Sequence, residues 1–290
     1  IARRQRQMCI RDRYIIIRDG KKGTPIPFWK VYKLTVSGFA LNYATPVGLM
    51  GGEPYRIMEL TPYVGASKAT SSVILYVMMH IFSHFCFWFF SIFLYLALRP
   101  VDIAMGTILA VVGAVSLLAI YFFMKGYKNG MAVRTLKLLQ HIPFIKEWAK
   151  RFSENKREAL ERVDSQIAEL HKQRRSTFYA SLSLEFMARI IGCLEVYFIL
   201  NILTTDVSFP ACILIMAFTS LFANLFFFSP MQLGAREGGF ALAVGGLAIP
   251  GAFGVYTGLI TRVRELIWIV IGVLLMKVGN GTPCLLYTSD

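Results

Sequence analysis

Charged residues are scarce in this chain of 290 residues. Asp, Glu, Lys and Arg together make up 17% of it, against roughly a quarter in ordinary soluble domains, whereas hydrophobic residues make up 56%. This composition excludes disorder, collagen and coiled coil as the main description of the chain. The apolar residues also come in long blocks instead of amphipathic stripes, which argues against a single soluble globule.

The sequence also lacks the signatures of common enzymes: it has no Walker loop, dinucleotide fingerprint, nucleophile elbow or clustered Cys/His zinc motif. Cys86, Cys193 and Cys212 lie in apolar runs and are predicted to be buried packing residues. His80 and His84 have a spacing that could ligate a metal, but no third ligand is evident, so we expect them to hydrogen-bond within a helical bundle. We therefore predict no metal and no cofactor, and we assign no catalytic residue.

What the chain does have is an excess of positive charge, with a formal net charge of +14. A chain that is both apolar and basic is typical of a multi-pass membrane protein with Lys and Arg in its cytoplasmic loops. The basic residues are concentrated in residues 1–34 and 125–176. Nucleic-acid binding is the rival explanation, but no zinc spacing or helix-turn-helix accompanies the charge. We therefore expect the bilayer as a partner and no nucleic acid.

Several apolar blocks approach or exceed the length of about 20 residues that a bilayer span requires. They are residues 72–97, 102–124, 177–203, 208–228 and 251–276. The fold class we predict is all-α: a polytopic transmembrane helical bundle. The positive-inside rule places residues 125–176, which contain a basic amphipathic helical arm, in the cytoplasm. The orientation of residues 229–290 stays open.

Two further apolar stretches, residues 35–58 and 229–249, are interrupted by Gly, Pro and charged residues. Irregular backbone at membrane depth is tolerated only where it is buried in protein or lines a cavity, so we predict two broken or re-entrant helical segments. Paired interrupted segments point to a transport site. Each combines a Gly pair with an acid and an arginine, and arginine suits a phosphate group. A conventional interhelical turn is the alternative for each segment.

Charged residues inside membrane segments are costly and indicate function by default. Five such residues form a secondary set of candidates: Glu185, Arg189, Arg262, Arg264 and Glu265. Glu185 and Arg189 are four residues apart, and Arg262 and Glu265 are three apart, so each of these pairs could form a local ion pair on one helix. Helix packing alone is the alternative role for them.

In order along the chain, the stretch from Gly38 through NYATP to GGEPYR, then KATSSVILYVMMH, then PMQLGAREGG and RVRELIWIVIG resemble a known family. It is the family named after the transmembrane region of lysylphosphatidylglycerol synthase, also called flippase-like membrane proteins. The resemblance implies a polytopic helical bundle with re-entrant elements in the bacterial inner membrane. In the best-known member, the membrane part moves an aminoacylated phospholipid between leaflets, and a separate soluble domain makes that lipid. Since we expect no such soluble domain here, aminoacyl transfer is not carried over.

The family pattern also implies candidate substrate-groove positions in both interrupted segments. They are Asn42, Pro46, Gly51, Gly52, Glu53 and Arg56 in the first, and Pro230, Gly234, Arg236, Glu237 and Gly238 in the second.

The two ends of the chain look foreign to the protein. Residues 8–12 (MCIRD) and 284–289 (CLLYTS) can be encoded by opposite strands of one DNA word, which resembles a transposon adapter used in sequencing libraries. We therefore expect residues 1–13 and 283–290 to be translated adapter. Residues 14–282 are then predicted to form a single membrane domain with a helical insertion at 125–176, and its first membrane helices are missing.

The leading functional hypothesis is movement of a phospholipid or lipid-linked head group between leaflets, with Arg56 and Arg236 holding the phosphate. Two alternatives stay open. One is an intramembrane transferase acting on a lipid-linked substrate, with Glu237 or Glu53 as the base. The other is a non-catalytic scaffold that recruits a cytoplasmic partner through residues 131–175. A homo-oligomer is compatible with each of them.

Overall fold

The computed structural model describes residues 26–44, 51–129, 175–204, 207–226 and 232–277, and these residues form eight helices and no strand. In chain order the helices are α1 (Phe28–Ala44), α2 (Gly52–Val64), α3 (Ala66–Leu98), α4 (Ile103–Asn129), α5 (Arg175–Leu203), α6 (Phe209–Leu225), α7 (Ala235–Gly245) and α8 (Gly251–Lys277). The predicted all-helical fold class is confirmed. The predicted amphipathic arm, both chain ends, Pro46 and Pro230 lie outside the described residues.

Three segments of the described chain are long and apolar enough to cross a bilayer: Lys68–Leu98 in α3, Ile103–Met124 in α4 and Phe178–Leu203 in α5. Helix α6 is apolar but has only 17 residues. Helix α8 has 27 residues but carries three charged side chains at its centre. These five helices correspond to the five apolar blocks of the sequence, so the prediction of a membrane-spanning helical bundle is confirmed.

Local sequence explains where several helices begin. The Oδ1 atom of Asp102 accepts a hydrogen bond from the N–H of Met105 at 2.9 Å and so caps α4. The Oγ atom of Ser208 accepts one from the N–H of Ala211 at 3.4 Å and caps α6. Gly65 has a φ of 82°, a left-handed conformation that favours glycine, and it separates α2 from α3.

Helices α1 and α2 form an antiparallel hairpin. At one end the Nζ atom of Lys30 lies 2.8 Å from Oε2 of Glu59, and at the other end the N–H of Gly52 donates to Oδ1 of Asn42 at 2.7 Å. Helix α2 has 13 residues and is about 20 Å long, against about 30 Å for the hydrocarbon core. It therefore returns beside α1 and is too short to cross a bilayer by itself.

Helices α6, α7 and α8 also run in alternating directions. The side-chain amide of Gln232, just before α7, donates to the carbonyl of Ala223 near the end of α6. Gly254 near the start of α8 packs against the backbone of Phe240 in α7. Helix α7 has 11 residues, about 16 Å, so it is also too short to span alone. Both predicted interruptions of the helical pattern are therefore present.

Contacts between distant helices fix the direction of the last helix. The hydroxyl of Ser37 in α1 donates to the carbonyl of Gly272 in α8 at 3.1 Å, and Tyr43, later in α1, lies near Glu265, earlier in α8, so these helices are antiparallel. Helix α5 runs parallel to α3, with His80 beside Glu185 and His84 beside Arg189. As a result, one side of the bundle holds the first residues of α1 and α5 and the last residues of α4 and α8. The orientation that the sequence left open is thus fixed relative to the rest.

Candidate functional site

The first interrupted segment builds a polar network between α1 and α2, called here the α1–α2 network and formed by Asn42, Gly52, Glu53 and Arg56. The Arg56 guanidinium pairs with Oε1 of Glu53, and the Asn42 amide lies 3.5 Å from the same oxygen. Arg56 is buried, and its guanidinium also reaches the carbonyl oxygens of Leu34 and Thr35, each at 3.4 Å. The network is therefore a buried ion pair held by backbone acceptors.

Glycine makes this close approach of the two helices possible. A Cβ atom on Gly52 would lie 2.1 Å from the carbonyl oxygen of Gly38, and one on Gly38 would lie 2.3 Å from Nε of Arg56. No real Cβ atom approaches a neighbour so closely, so both positions need the absence of a side chain. The two glycines allow the Arg56 guanidinium to lie directly against the α1 backbone.

The second interrupted segment builds a larger network with α8 and α5, called here the α7–α8 network. Its members are three arginines and three glutamates: Glu195, Arg236, Glu237, Arg262, Arg264 and Glu265. Arg236 pairs with Glu265, and Arg264 pairs with Glu195 while its second nitrogen lies 3.6 Å from Glu265. All of these pairs except Arg264 with Glu265 join two different helices. The network has three positive and three negative side chains and is therefore neutral.

Glu237 is engaged on both of its oxygens. Oε1 accepts from Nη2 and Nε of Arg262 at 2.6 and 3.1 Å, and Oε2 accepts from the N–H of Gly234 at 2.9 Å. The second bond caps α7, whose N-cap Gly234 has a left-handed φ of 77°. These contacts fix the orientation of the Glu237 carboxylate.

Both networks lie at the depth of the middle of α8. Glu265 is near the midpoint of a 27-residue helix, about 20 Å from either end. The α1–α2 network reaches the same level, because Tyr43 at the end of α1 interacts with Glu265, Arg236 and Arg262. Its neighbour Asn42 belongs to the α1–α2 network. Successive residues of α1 therefore connect the two interrupted segments.

Among the described residues, a few buried polar atoms of the two networks have no hydrogen-bond partner. Three such atoms make no hydrogen bond in the part of the chain that the structure describes: Oε2 of Glu53, Oε2 of Glu265 and Nε of Arg264. Buried polar groups without a partner are costly and rare, so an unfilled donor and an unfilled acceptor in one network call for an explanation. A bound polar ligand or water would supply it.

Several of the predicted candidate residues lie outside the two networks. Gly51 lies just before α2 and Gly238 lies within α7, where an added Cβ would meet no atom within 4 Å. Glu185 and Arg189 belong to neither network; they contact His80, Ser83 and His84 of α3. The structure thus places most of the described candidate residues in two networks and in a separate cluster between α3 and α5.

Three residues of the site were missing from the predicted set. Glu195 could have been found, because it is a carboxylate within an apolar block, the same signal that singled out Glu185. Gly38 and Tyr43 carried no comparable signal. Their roles depend on contacts with Arg56 in another helix and with Glu265, more than 200 positions away.

Comparison with known proteins identifies a family for this chain. No curated protein and no solved structure gave a significant match to the chain. Residues 13–272 match the family described as "Lysylphosphatidylglycerol synthase TM region". This match covers most of the chain and includes all the described helices except the end of α8. The chain is therefore a multi-pass membrane protein that belongs to the family of the lysylphosphatidylglycerol synthase transmembrane region.

Proposed function

We propose that this protein moves a phospholipid or lipid-linked head group between the leaflets of a bacterial cytoplasmic membrane, with residues 125–176 on the cytoplasmic side. The observation that carries the proposal is the pair of polar networks at the depth of mid-α8, which meet at the end of α1. Membership of a family related to lipid modification or transport supports it. A polar groove at this depth lowers the cost of taking a charged head group through hydrocarbon.

The charges of the α7–α8 network favour a head group that carries both signs. Its three arginines and three glutamates balance, so a purely anionic guest would have to displace a glutamate that remains buried nearby. A zwitterionic head group brings an acceptor phosphate and a donor ammonium. These complement the unfilled donor of Arg264 and the unfilled acceptor of Glu265.

The ion pairs also explain how the groove closes when empty. Arg236 and Glu265 satisfy each other without substrate, and an arriving phosphate and ammonium exchange partners with them. Because one set of charge-assisted hydrogen bonds replaces another, the exchange is nearly balanced in free energy and the lipid is not trapped. Tight binding at mid-membrane would by contrast slow release.

The test is reconstitution in liposomes that contain a zwitterionic phospholipid with a fluorescent tail label. A membrane-impermeant reductant then reports how fast labelled lipid moves between leaflets. We expect Arg236→Ala and Arg56→Ala to slow protein-dependent movement about tenfold or more, which corresponds to about 1.4 kcal/mol. Arg99→Ala is the matched control, because Arg99 is an exposed arginine at the end of α3. Unchanged movement in both groove variants would exclude the mechanism.

A further inference from the structure

A polar cluster separate from both networks lies between α3 and α5. This α3–α5 cluster consists of His80, Ser83, His84, Glu185 and Arg189. Nδ1 of His80 lies 3.2 Å from Oε2 of Glu185; the Glu185 side chain is 2% exposed, whereas that of His80 is 41% exposed. The imidazole therefore connects a deeply buried carboxylate with the outer surface of the bundle. A buried carboxylate within an apolar helix is costly and needs a reason.

Arg189 fixes the protonation of one histidine. Its Nε donates to Oγ of Ser83 at 2.9 Å and its Nη2 to the carbonyl of His80 at 3.0 Å, while Nη1 lies 3.2 Å from Nδ1 of His84. A guanidinium has only donors, so Nδ1 of His84 must accept. While this contact lasts, His84 carries its proton on Nε2 and is neutral. Arg189 and His84 thus keep the same protonation state.

The remaining pair, His80 and Glu185, can gain a proton. An ionised carboxylate accepts hydrogen bonds only, so Nδ1 of the neutral His80 carries the hydrogen between them. One further proton gives either an imidazolium beside the carboxylate or an imidazole beside a carboxylic acid. In both forms the charge of the cluster rises by one.

Among the described residues, the groups next to the pair, other than His84 and Arg189, do not titrate near neutral pH. On α3, the ring of Tyr76 stacks on His80 with centroids 6.1 Å apart. The Cys86 thiol lies within range of the positive charge of Arg189. Helix α4 presents Phe123 to this part of α3, and α6 presents Ser220. Tyrosine and cysteine ordinarily titrate well above neutral pH, and phenylalanine and serine do not titrate there.

We infer that the Glu185–His80 pair is a proton-binding site through which a proton gradient drives the lipid movement proposed above. The coupling rests on that proposed function, whereas proton binding does not. Helix α5 provides the connection, because Glu195, ten residues and about 15 Å beyond Glu185, pairs with Arg264 of the α7–α8 network. A proton that alters the α3–α5 contact therefore biases the position of a helix that holds the lipid site.

Proton binding is tested by nuclear magnetic resonance of protein in nanodiscs with ¹⁵N-labelled histidine. The chain has only four histidines, so single substitutions assign each imidazole. We expect the nitrogen signals of His80 to change with pH, and this change to differ in Glu185→Gln, which removes the neighbouring negative charge. The His84 signal should stay that of a neutral imidazole over the same range.

The control for this measurement is Glu59→Gln. Glu59 is also an ion-paired glutamate, but its partner is Lys30 at the open end of the α1–α2 hairpin. It should leave the His80 titration unchanged. If the nitrogen signals of His80 do not change with pH, or change identically in Glu185→Gln, the pair is only a structural link between α3 and α5 and the inference is overturned. His80→Gln should abolish the titrating signal and gives a second variant if Glu185→Gln does not fold.

Coupling is tested in the liposome assay with an imposed pH gradient. We expect the gradient to accelerate lipid movement by wild-type protein, and Glu185→Gln to lose this acceleration while it keeps the movement seen without a gradient. Acceleration that survives in Glu185→Gln would overturn the coupling. Absence of any lipid movement in wild-type protein would instead refute the proposed function, and the histidine titration would still decide whether the proton site exists.

Discussion

At the scale of single residues, the site is defined by which charged side chains form ion pairs with each other. Local spacing suggested that Arg262 and Glu265 could pair along one helix turn. In the structure Arg262 pairs with Glu237 of α7, and Glu265 pairs with Arg236 of α7 and approaches Arg264. Cross-helix pairing of this kind cannot be predicted from a single sequence, because neighbours in sequence and partners on another helix offer the same chemistry.

Removing one member of a buried pair should cost more than removing both. We expect Arg236→Met to destabilise the protein by about 3 kcal/mol, the lower end for a broken buried pair, because Arg264 still lies near Glu265. The double variant Arg236→Met with Glu265→Gln should recover most of this loss, since no uncompensated charge remains. Thermal unfolding in detergent measures both variants. Equal destabilisation of the single and double variants would mean that the pair is not coupled.

Gly238 offers a test of whether the space beside Glu237 is used. An added Cβ atom there meets no atom within 4 Å, so we expect Gly238→Leu to leave the unfolding temperature nearly unchanged while it adds bulk beside Glu237 and slows lipid movement. Gly245→Leu is the matched control, because Gly245 also faces open space two turns further along α7. Equal rates in both variants would show that lipid does not pass Gly238.

At the scale of helices, the interruptions are what bring charge to the centre of the bundle. Helices α2 and α7 are short and fold back on α1 and α6, so each presents its polar first turn in mid-bundle and not at a membrane surface. The sequence predicted both interruptions because Gly, Pro and charged residues break long apolar blocks. It could not predict that a pair of glycines sets the spacing of the first hairpin, since a Gly pattern alone does not identify its partner.

The α1–α2 hairpin should tolerate no side chain at its contact point. We expect Gly52→Ala to lower stability by about 1–3 kcal/mol or more, since its Cβ would lie 2.1 Å from the carbonyl oxygen of Gly38. At Gly245 in α7 an added methyl group meets open space, so Gly245→Ala should be neutral or slightly stabilising. Unfolding temperatures of the two variants in the same detergent make the comparison. A tolerated Gly52→Ala would contradict the close contact.

At the scale of the whole molecule, sequence predicted the fold class and the approximate spans but not the path of the last third of the chain. The apolar blocks identify α3, α4 and α5 without ambiguity, because length and hydropathy alone decide a span. Helix α8 was harder to place, because its direction depends on whether α7 crosses or returns. Only contacts between distant helices, such as Ser37 with Gly272, resolve that question.

The alternating helix directions predict on which side of the membrane each end lies. Arg99 follows α3, whereas Lys277 ends α8 on the opposite side of the bundle. In a background without the five cysteines of the chain, Arg99→Cys and Lys277→Cys should therefore react with an impermeant thiol reagent from opposite sides of intact vesicles. By the positive-inside rule, Lys277 is expected on the cytoplasmic side. Labelling of both from the same side would refute the arrangement.

The long separation between ion-pair partners in the second network has a consequence for how the protein enters its membrane. Arg236 and Glu237 are synthesised 29 and 25 residues before Glu265 and Arg262, which neutralise them. A lone charged residue at the centre of an inserting helix costs about 2.5–3.5 kcal/mol on translocon scales. Helix α7 would thus be a poor substrate for one-by-one insertion. Biogenesis should instead deliver α7 and α8 as one preassembled unit, with the charges already matched before lipid surrounds them.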